Sequence, residues 1–376
     1  GHLQNTVALA VEGEAFASQH VGDLDTEPAR AFQAEVASGL EAFLAVEARV
    51  LAVDLHPDYA STWLGERLAA QRGGRLLRVQ HHLAHAAATL GEHGAWPGEH
   101  ERVGALVLDG TGFGAPSELA GDDLRAAAWG AEWLELDGAL RWRRAATSRA
   151  LPLVGGERAV REPWRIVAAA LALAGDGDAL ARLPLADRVP RTTLAEIARL
   201  ARGPGFPRAH GAGRLFEAAG ALVGACVHNT YEGEAAARFE ALASRAPDAT
   251  AWDEVRLAAH ERELPSVELL SALARRVLGG EDPATAAAGF HATFCELAAS
   301  LARRAFEPST ELVALGGGCL VNRLLARGLV DALTRAGYRV LLPRELPAGD
   351  GGLAYGQCVV ASAALAHSRL PNRIGA

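Results

Sequence analysis

The apolar positions along the first third of the chain change period repeatedly, and each change marks an element. Residues 6–11 form an apolar run that predicts a strand, with 15–19 as its hairpin partner. Residues 29–48 carry apolar side chains at helical spacing, and Pro28 stands just before them, where helices start. A strand is predicted at 50–54, a helix at 61–71, a strand at 76–79, a helix at 83–92 and a buried strand at 103–108 ending at Asp109. Strands alternating with helices predict an α/β fold with a mixed sheet and covering helices.

Beyond Gly112 the pattern changes. Residues 126–136 and 139–145 read as an antiparallel pair across Asp137-Gly138, a turn signal. From about 161 to 278 the chain is Ala-rich and mostly helical, with 166–174 as a buried helix. The end returns to strand, turn and helix: a strand at 312–315, three glycines, a helix at 321–336, a strand at 340–342 and a last helix from about 353. The expected organisation is an N-terminal lobe over 1–112 and a C-terminal lobe over 113–376, with a mainly helical insertion over about 150–290.

Charge and composition narrow the function. The net charge is −8 and there is no basic run. Sequence-independent nucleic-acid binding needs clustered positive charge, so it is not expected. All 37 basic residues are arginine. Without lysine there is no Walker-type phosphate lysine, no pyridoxal Schiff base and no lysine general base. No stretch reaches the roughly 18 apolar residues that span a bilayer. The cysteines Cys226, Cys295, Cys319 and Cys358 form no C-x-x-C pair. Reduced thiols in a cytoplasmic protein are therefore expected.

The sharpest chemical signal is Gln80-His81-His82-Leu83-Ala84-His85. His81 and His85 are four apart and share one helix face, so both imidazoles can reach one metal. Glycine-flanked acids supply further ligand candidates: Asp109 before Gly110-Thr111-Gly112, and Asp350 before Gly351-Gly352. Two imidazoles and two carboxylates suit a divalent metal, with iron(II) favoured over manganese, zinc or magnesium. The turns at Gly110-Thr111-Gly112 and Gly316-Gly317-Gly318 follow apolar strands. Their backbone N–H groups could approach a phosphate without help from lysine.

These residues resemble a known pattern. Asp-Gly and Gly-Gly turns with a His-x-x-x-His pair occur in the threonylcarbamoyl-transferring branch of the actin and sugar-kinase-like ATPases. The chain as a whole most resembles the C-terminal carbamoyl-transfer region of the HypF family of hydrogenase-maturation carbamoyltransferases. The resemblance runs in order through Ser18–Leu24, Asp54–Tyr59, Val79–His85, Asp109–Gly114, Arg161–Arg165, Gly213–Phe216, Thr230–Ala236, Gly316–Arg323 and Asp350–Gln357. It implies a two-lobed, ribonuclease H-like duplicated ATPase fold. It implies a metal on His81, His85, Asp109 and Asp350. ATP would lie along Gly110, Thr111, Gly112, Gly316, Gly317, Gly318 and Arg214, with Glu217 and Asn322 approaching the adenosine.

The implied reaction starts from carbamoyl phosphate, passes through carbamoyl-adenylate, and ends on the C-terminal cysteine of a HypE-type acceptor. That carbamoyl group becomes a cyanide ligand of the NiFe-hydrogenase iron. His20 and His56 are candidates for a general base or phosphate ligand, and Arg165, with Arg161 and Arg214, for a bidentate clamp on phosphate or carbamoyl oxygens. Ion pairing of one arginine with Glu162 is the competing structural role. Cys319 reads as a small filler at a helix start rather than a nucleophile.

Two departures stand out: Gln4 where the family often has Lys, and Glu217 where it often has Asp. Full-length members carry acylphosphatase, zinc-finger and carbamoyl-adenylate-forming regions ahead of this one. The sequence alone thus predicts an excised domain or a short form. It leaves open homodimerisation and whether the chain makes carbamoyl-adenylate itself. Three rival readings are O-carbamoyl transfer to a small-molecule hydroxyl, threonylcarbamoyl transfer to tRNA, and a non-catalytic ATP-binding subunit. Acidic charge argues against the second, and the four converging ligands argue against the third.

Overall fold

The computed structural model describes residues 2–114, 127–203, 205–258, 260–366 and 373–374. The chain opens with a hairpin of β1 (Ala8–Val11) and β2 (Glu14–Ala17), then α1 (Glu27–Leu44), β3 (Val50–Asp54), α2 (Ala60–Arg72), β4 (Arg75–Val79) and α3 (His81–Glu92). There follow β5 (Arg102–Gly112), β6 (Ala127–Asp137), β7 (Trp142–Ser148) and β8 (Leu151–Pro152). A helix-rich stretch contains α4 (Glu157–Arg161), α5 (Trp164–Ala174), α6 (Arg191–Leu200), β9 (Arg208–Ala209), α7 (Ala212–Leu222), α8 (Glu234–Ala243), β10 (Glu263–Leu264), α9 (Ser266–Leu278) and α10 (Pro283–Ala305). The chain closes with β11 (Leu312–Gly316), α11 (Arg323–Arg335), β12 (Arg339–Leu341), α12 (Leu353–Ala366) and β13 (Arg373–Ile374).

The main sheet runs β10-β7-β6-β5-β11-β12. Strands β5, β6 and β7 form an antiparallel meander, while β11 joins β5 in parallel and β12 joins β11 in parallel. A second sheet runs β13-β4-β3, and the β1-β2 hairpin pairs only with itself among the described residues. This is the mixed α/β arrangement that the alternating pattern predicts.

Strand β5 is buried along nearly its whole length because both its faces are covered. Its alternating side chains divide between two cores. Leu106 and Leu108 join the larger core built from α5, α7, α9 and α10. Val103, Ala105 and Val107 join the smaller one with α3 and α12. Trp129 and Trp133 on β6 are fully buried, as core residues are expected to be, and Trp133 Nε1 donates to Ala298 O.

Two local expectations shift. The predicted strand at 139–145 begins later, at Trp142, because Asp137 Oδ1 accepts from the amides of Ala139 and Arg141 and widens the turn. The first residue of the strand predicted at 126–136 lies outside the described residues. The strand predicted to stop at Asp109 continues to Gly112, with a register irregularity against β6 between Leu108 and Gly112. No helix among the described residues is long and apolar enough to cross a membrane.

Candidate metal and nucleotide site

Strand β4 delivers the first two ligand candidates. It ends at Val79, and Gln80 caps α3 by accepting the Leu83 amide through its side chain. Helix α3 therefore starts at His81, two residues earlier than the sequence pattern suggests. Residues 81–90 of this helix are all buried. Gly356 of α12 lies directly against the Ala84 carbonyl, and only a residue without Cβ allows the two helices so close. Asp109 sits at the start of the irregular stretch of β5, and alternation from Val103, Ala105 and Val107 puts its side chain on the face that packs against α3. Asp350 opens the one-turn 3₁₀ helix Asp350–Gly352 that leads into α12.

These four side chains converge. His81 Nε2 lies 3.3 Å from Asp109 Oδ2 and 3.6 Å from Asp350 Oδ1. His85 Nε2 lies 3.8 Å and 3.6 Å from the same two oxygens. All four ligating atoms fall within 4.8 Å of one another. His85 Nε2 is buried and has no hydrogen-bond partner among the described residues. An unpaired buried nitrogen is costly unless something accepts its lone pair. A divalent cation among these four atoms would do so, and the nitrogen and oxygen donors suit iron(II), zinc or manganese.

The other face of His81 is held by a residue to which the sequence reading gave no role. Asp54 Oδ2 accepts from His81 Nδ1 at 2.8 Å, and Asp54 Oδ1 accepts the His56 amide at 2.9 Å. This is the carboxylate–histidine arrangement that fixes a metal-binding imidazole. The available signal is topological: β3 and β4 are parallel neighbours with Asp54 in register with Val79, two residues before His81.

Burial disfavours a charged ring at His81. The charges of Asp350 and Asp54 and the hydrogen bonds to Asp109 and Asp54 outweigh it, and His81 is held well above the ordinary histidine value. Burial likewise opposes the Asp350 charge, but the neighbouring His81 and His85 hold this carboxyl well below the usual range. The field that draws a proton to this point would draw a cation to it. His82 faces elsewhere: its ring lies 6.0 Å from that of Trp129, and Gln80 Nε2 donates to its Nδ1. Burial, then His81 and His85, keep it neutral, well below the ordinary value.

The glycine turns border this group. Gly317 adopts φ +95 and donates its N–H to Ala348 O, and a side chain there would collide with Leu108 O. Gly316 abuts His85, and a Cβ on Gly318 would stand 3.2 Å from Asp109 Oδ1. Gly112 lies beneath the rings of His81 and His82, so it packs the histidines as much as it lines a cleft. Thr111 is exposed. A Cβ on Gly110 would stand 3.1 Å from the Arg214 guanidinium, which is almost fully buried and 3.0 Å from Glu217 Oε2. Burial pushes the Glu217 carboxyl up, against the pull of Arg214. Glu217 Oε1 accepts from Asn229 Nδ2 and Gly233 N, so the pair ties α7 to the segment before α8.

Asn322 has both ends of its carboxamide engaged inside the protein: Oδ1 caps α11 through the Leu325 amide and Nδ2 donates to His291 Nε2. Arg165 is held by Glu162 at 2.5 Å and lies over the Trp164 ring, which is the structural pairing that competes with a clamp role. His20 is exposed, in the segment after β2. His56 is half-buried, stacked on Tyr59 with ring centroids 4.1 Å apart and edge-on to Phe113. Burial pushes its pKa down despite Asp54 and Asp58. Burial, then the Asp109 charge, pushes the Cys319 thiol far up, which leaves it protonated and unsuited to nucleophilic attack.

Comparison with known proteins gives a consistent likeness. Residues 105–357 match the family model described as carbamoyltransferase, Kae1-like domain, second subdomain, and residues 1–92 match the HypF Kae1-like domain. The carbamoyltransferase HypF of Rhizobium leguminosarum bv. viciae is 40% identical over 359 residues, which covers 94% of this chain and 43% of that protein. Carbamoyltransferase HypF2 of Cupriavidus necator is 36% identical over 390 residues, covering 96% and 46%. The crystal structure of full-length HypF in its phosphate- and nucleotide-bound form superposes with a TM-score of 0.82 at 28% identity, over 97% of this chain and 46% of its own. The chain thus spans about half the length of these relatives.

Proposed function

The chain belongs to the HypF carbamoyltransferase family, and from that premise we propose that it is the carbamoyl-transfer region of such an enzyme, moving a carbamoyl group from carbamoyl-adenylate to the C-terminal cysteine of a HypE-type acceptor protein. Carbamoyl phosphate and ATP would be the earlier sources of that adenylate. The observation that carries the reading is the convergence of His81, His85, Asp109 and Asp350 beside two glycine-rich segments.

Those four residues would hold a divalent metal, iron(II) first among the candidates. When bound, it would supply Lewis-acid charge beside the nucleotide phosphates. Asp54 orients His81 and fixes which nitrogen faces the site. Backbone amides around Gly316–Gly318 and Gly110–Gly112, other than that of Gly317, which donates to Ala348 O, would line the phosphates, with Arg214 contributing buried positive charge next to Gly110. The acceptor thiolate would attack the carbamoyl carbon. The carbon–oxygen bond to the adenylate phosphate would then break, and AMP would leave with the electron pair.

His56 is better suited to bind an oxygen than to act as a base. Its Nδ1 accepts the Asp58 amide at 3.1 Å, so the neutral ring carries its proton on Nε2 and offers a donor. We propose His20 and Arg165 as further groups that contact substrate. Mass spectrometry of the acceptor, incubated with this chain, iron(II) and carbamoyl-adenylate, tests the reading. The expected result is a carbamoyl adduct on the terminal cysteine that disappears in the His81→Ala, His85→Ala double variant. An adduct that persists in that variant, or none with the wild-type chain, overturns it. A parallel incubation with carbamoyl phosphate and ATP tells whether the chain also forms the adenylate.

A further inference from the structure

Three of the four converging side chains sit on regular elements, His81 and His85 on α3 and Asp109 on β5. Asp350 instead follows segment 342–349, which has no regular structure and links β12 to the 3₁₀ helix Asp350–Gly352. On its C-terminal side Asp350 is fixed by α12, whose Gly356 lies against the Ala84 carbonyl of α3. On its N-terminal side the incoming segment has to be fixed by hydrogen bonds. A ligand set works only when its side chains are held to within about 0.5 Å, so whatever holds this segment bears on the whole cluster.

The holding groups come from the far end of α3. Glu92, its last residue, accepts three successive backbone amides: Arg344 N on Oε1 at 2.8 Å, and Glu345 N and Leu346 N on Oε2 at 3.1 and 3.4 Å. The adjoining His93 donates from Nε2 to Leu342 O at 2.8 Å. Nearer Asp350, the Gly317 N–H donates to Ala348 O at 2.9 Å. An acid in the last turn of a helix faces the negative end of the helix dipole, where acids are disfavoured. Helix stability therefore gives no reason for a carboxylate at this position. Three N–H groups converging on it do, because hydrogen bonds to an ionised acceptor are the strong ones.

We propose that Glu92 is a positioning residue for the cluster: through the amides of 344–346 it sets where Asp350 stands relative to His81 and His85. The inference rests on the reading of those residues as a metal site. Asp350 Oδ1 lies 3.6 Å from Nε2 of both histidines, so a slack incoming segment lets it drift from both at once. The two ends of α3 are about 16 Å apart along a stiff helix, and residues 81–90 of it are buried. One rod thus carries two ligands at its start and the anchor of a third at its end.

Calorimetric titration of the whole chain with zinc(II) tests this, at a temperature where circular dichroism shows each variant folded, with amide hydrogen exchange read on the same proteins. Glu92→Ala should bind zinc(II) about tenfold more weakly than the wild type, with faster exchange at the amides of 344–346. Glu92→Gln keeps one acceptor oxygen and should lie between the two; it serves the comparison if Glu92→Ala does not fold. Glu41→Ala breaks the ion pair with Arg72 that ties α1 to α2, and it should lower stability while leaving zinc(II) affinity unchanged. Wild-type affinity in the Glu92 variants, or an equal loss in Glu41→Ala, overturns the proposal and leaves the metal reading standing. A wild-type chain that takes up no zinc(II) overturns the metal reading and this inference together.

Discussion

Asp54 and His81 lie 27 residues apart in sequence and 2.8 Å apart in space, with the carboxylate on the imidazole nitrogen that faces away from the ligand cluster. Both are almost completely buried. Asp54 therefore governs the ring orientation and donor strength of His81 without reaching the proposed metal itself. Replacing it with Ala should weaken iron(II) or zinc binding by about 10–100-fold, the usual cost of losing such a partner. Asp54→Asn should retain more affinity than Asp54→Ala. Calorimetric metal titration of the two variants checks the order, and equal losses would show that only the charge matters.

Arg214 and Glu217 form a second buried pair, 3.0 Å apart and next to Gly110. Removing one member strands the other charge in the interior. Arg214→Leu should destabilise the fold by about 3–5 kcal/mol, and Arg214→Leu with Glu217→Leu should recover part of that loss. Urea denaturation of the single and double variants measures both. A single variant as stable as the wild type would mean that the pair is held for binding alone.

His291 predicts a pH dependence of stability. Burial holds its pKa down to about 4, opposed only by the Ala287 carbonyl. The unfolded chain therefore takes up this proton before the folded one does. The stability it contributes is fully present above about pH 6.5 and is lost as pH falls from there toward 4, by on the order of 3 kcal/mol. Denaturation midpoints at pH 7 and pH 4.5 should differ less in His291→Gln than in the wild type.

Gly317 should tolerate no side chain. Its φ of +95 already disfavours an L residue, and a Cβ would meet the Leu108 carbonyl. Gly317→Ala should cost about 1–3 kcal/mol of stability. It should also weaken nucleotide binding, because the turn beside Asp109 must open. Thermal denaturation and ATP titration read the two effects separately.

Much of the site was legible because its signals are local. The His81 and His85 spacing declares a shared helix face, and the flanking glycines mark Asp109 and Asp350 as backbone positions with special demands. What escaped depends on pairing across the sheet. Asp54 acquires its role only when β3 lies beside β4, and nothing within its own segment reveals that. The glycines after Asp109 look like a strand exit in sequence but lie inside β5, because the antiparallel partner β6 continues past the irregularity. Asn322 is a helix cap whose other end meets His291, a contact between residues 31 positions apart.

The division of β5 between two cores has a consequence for how the molecule comes apart. Leu106 and Leu108 belong to one core and Val103, Ala105 and Val107 to the other, while Asp109 is the next residue along the same strand. Neither core can melt while its side of β5 stays in place, so loss of one strips cover from the other. Heating should then give a single cooperative heat-capacity peak rather than two, and a cation bound at Asp109 would raise the temperature at which both cores fail together.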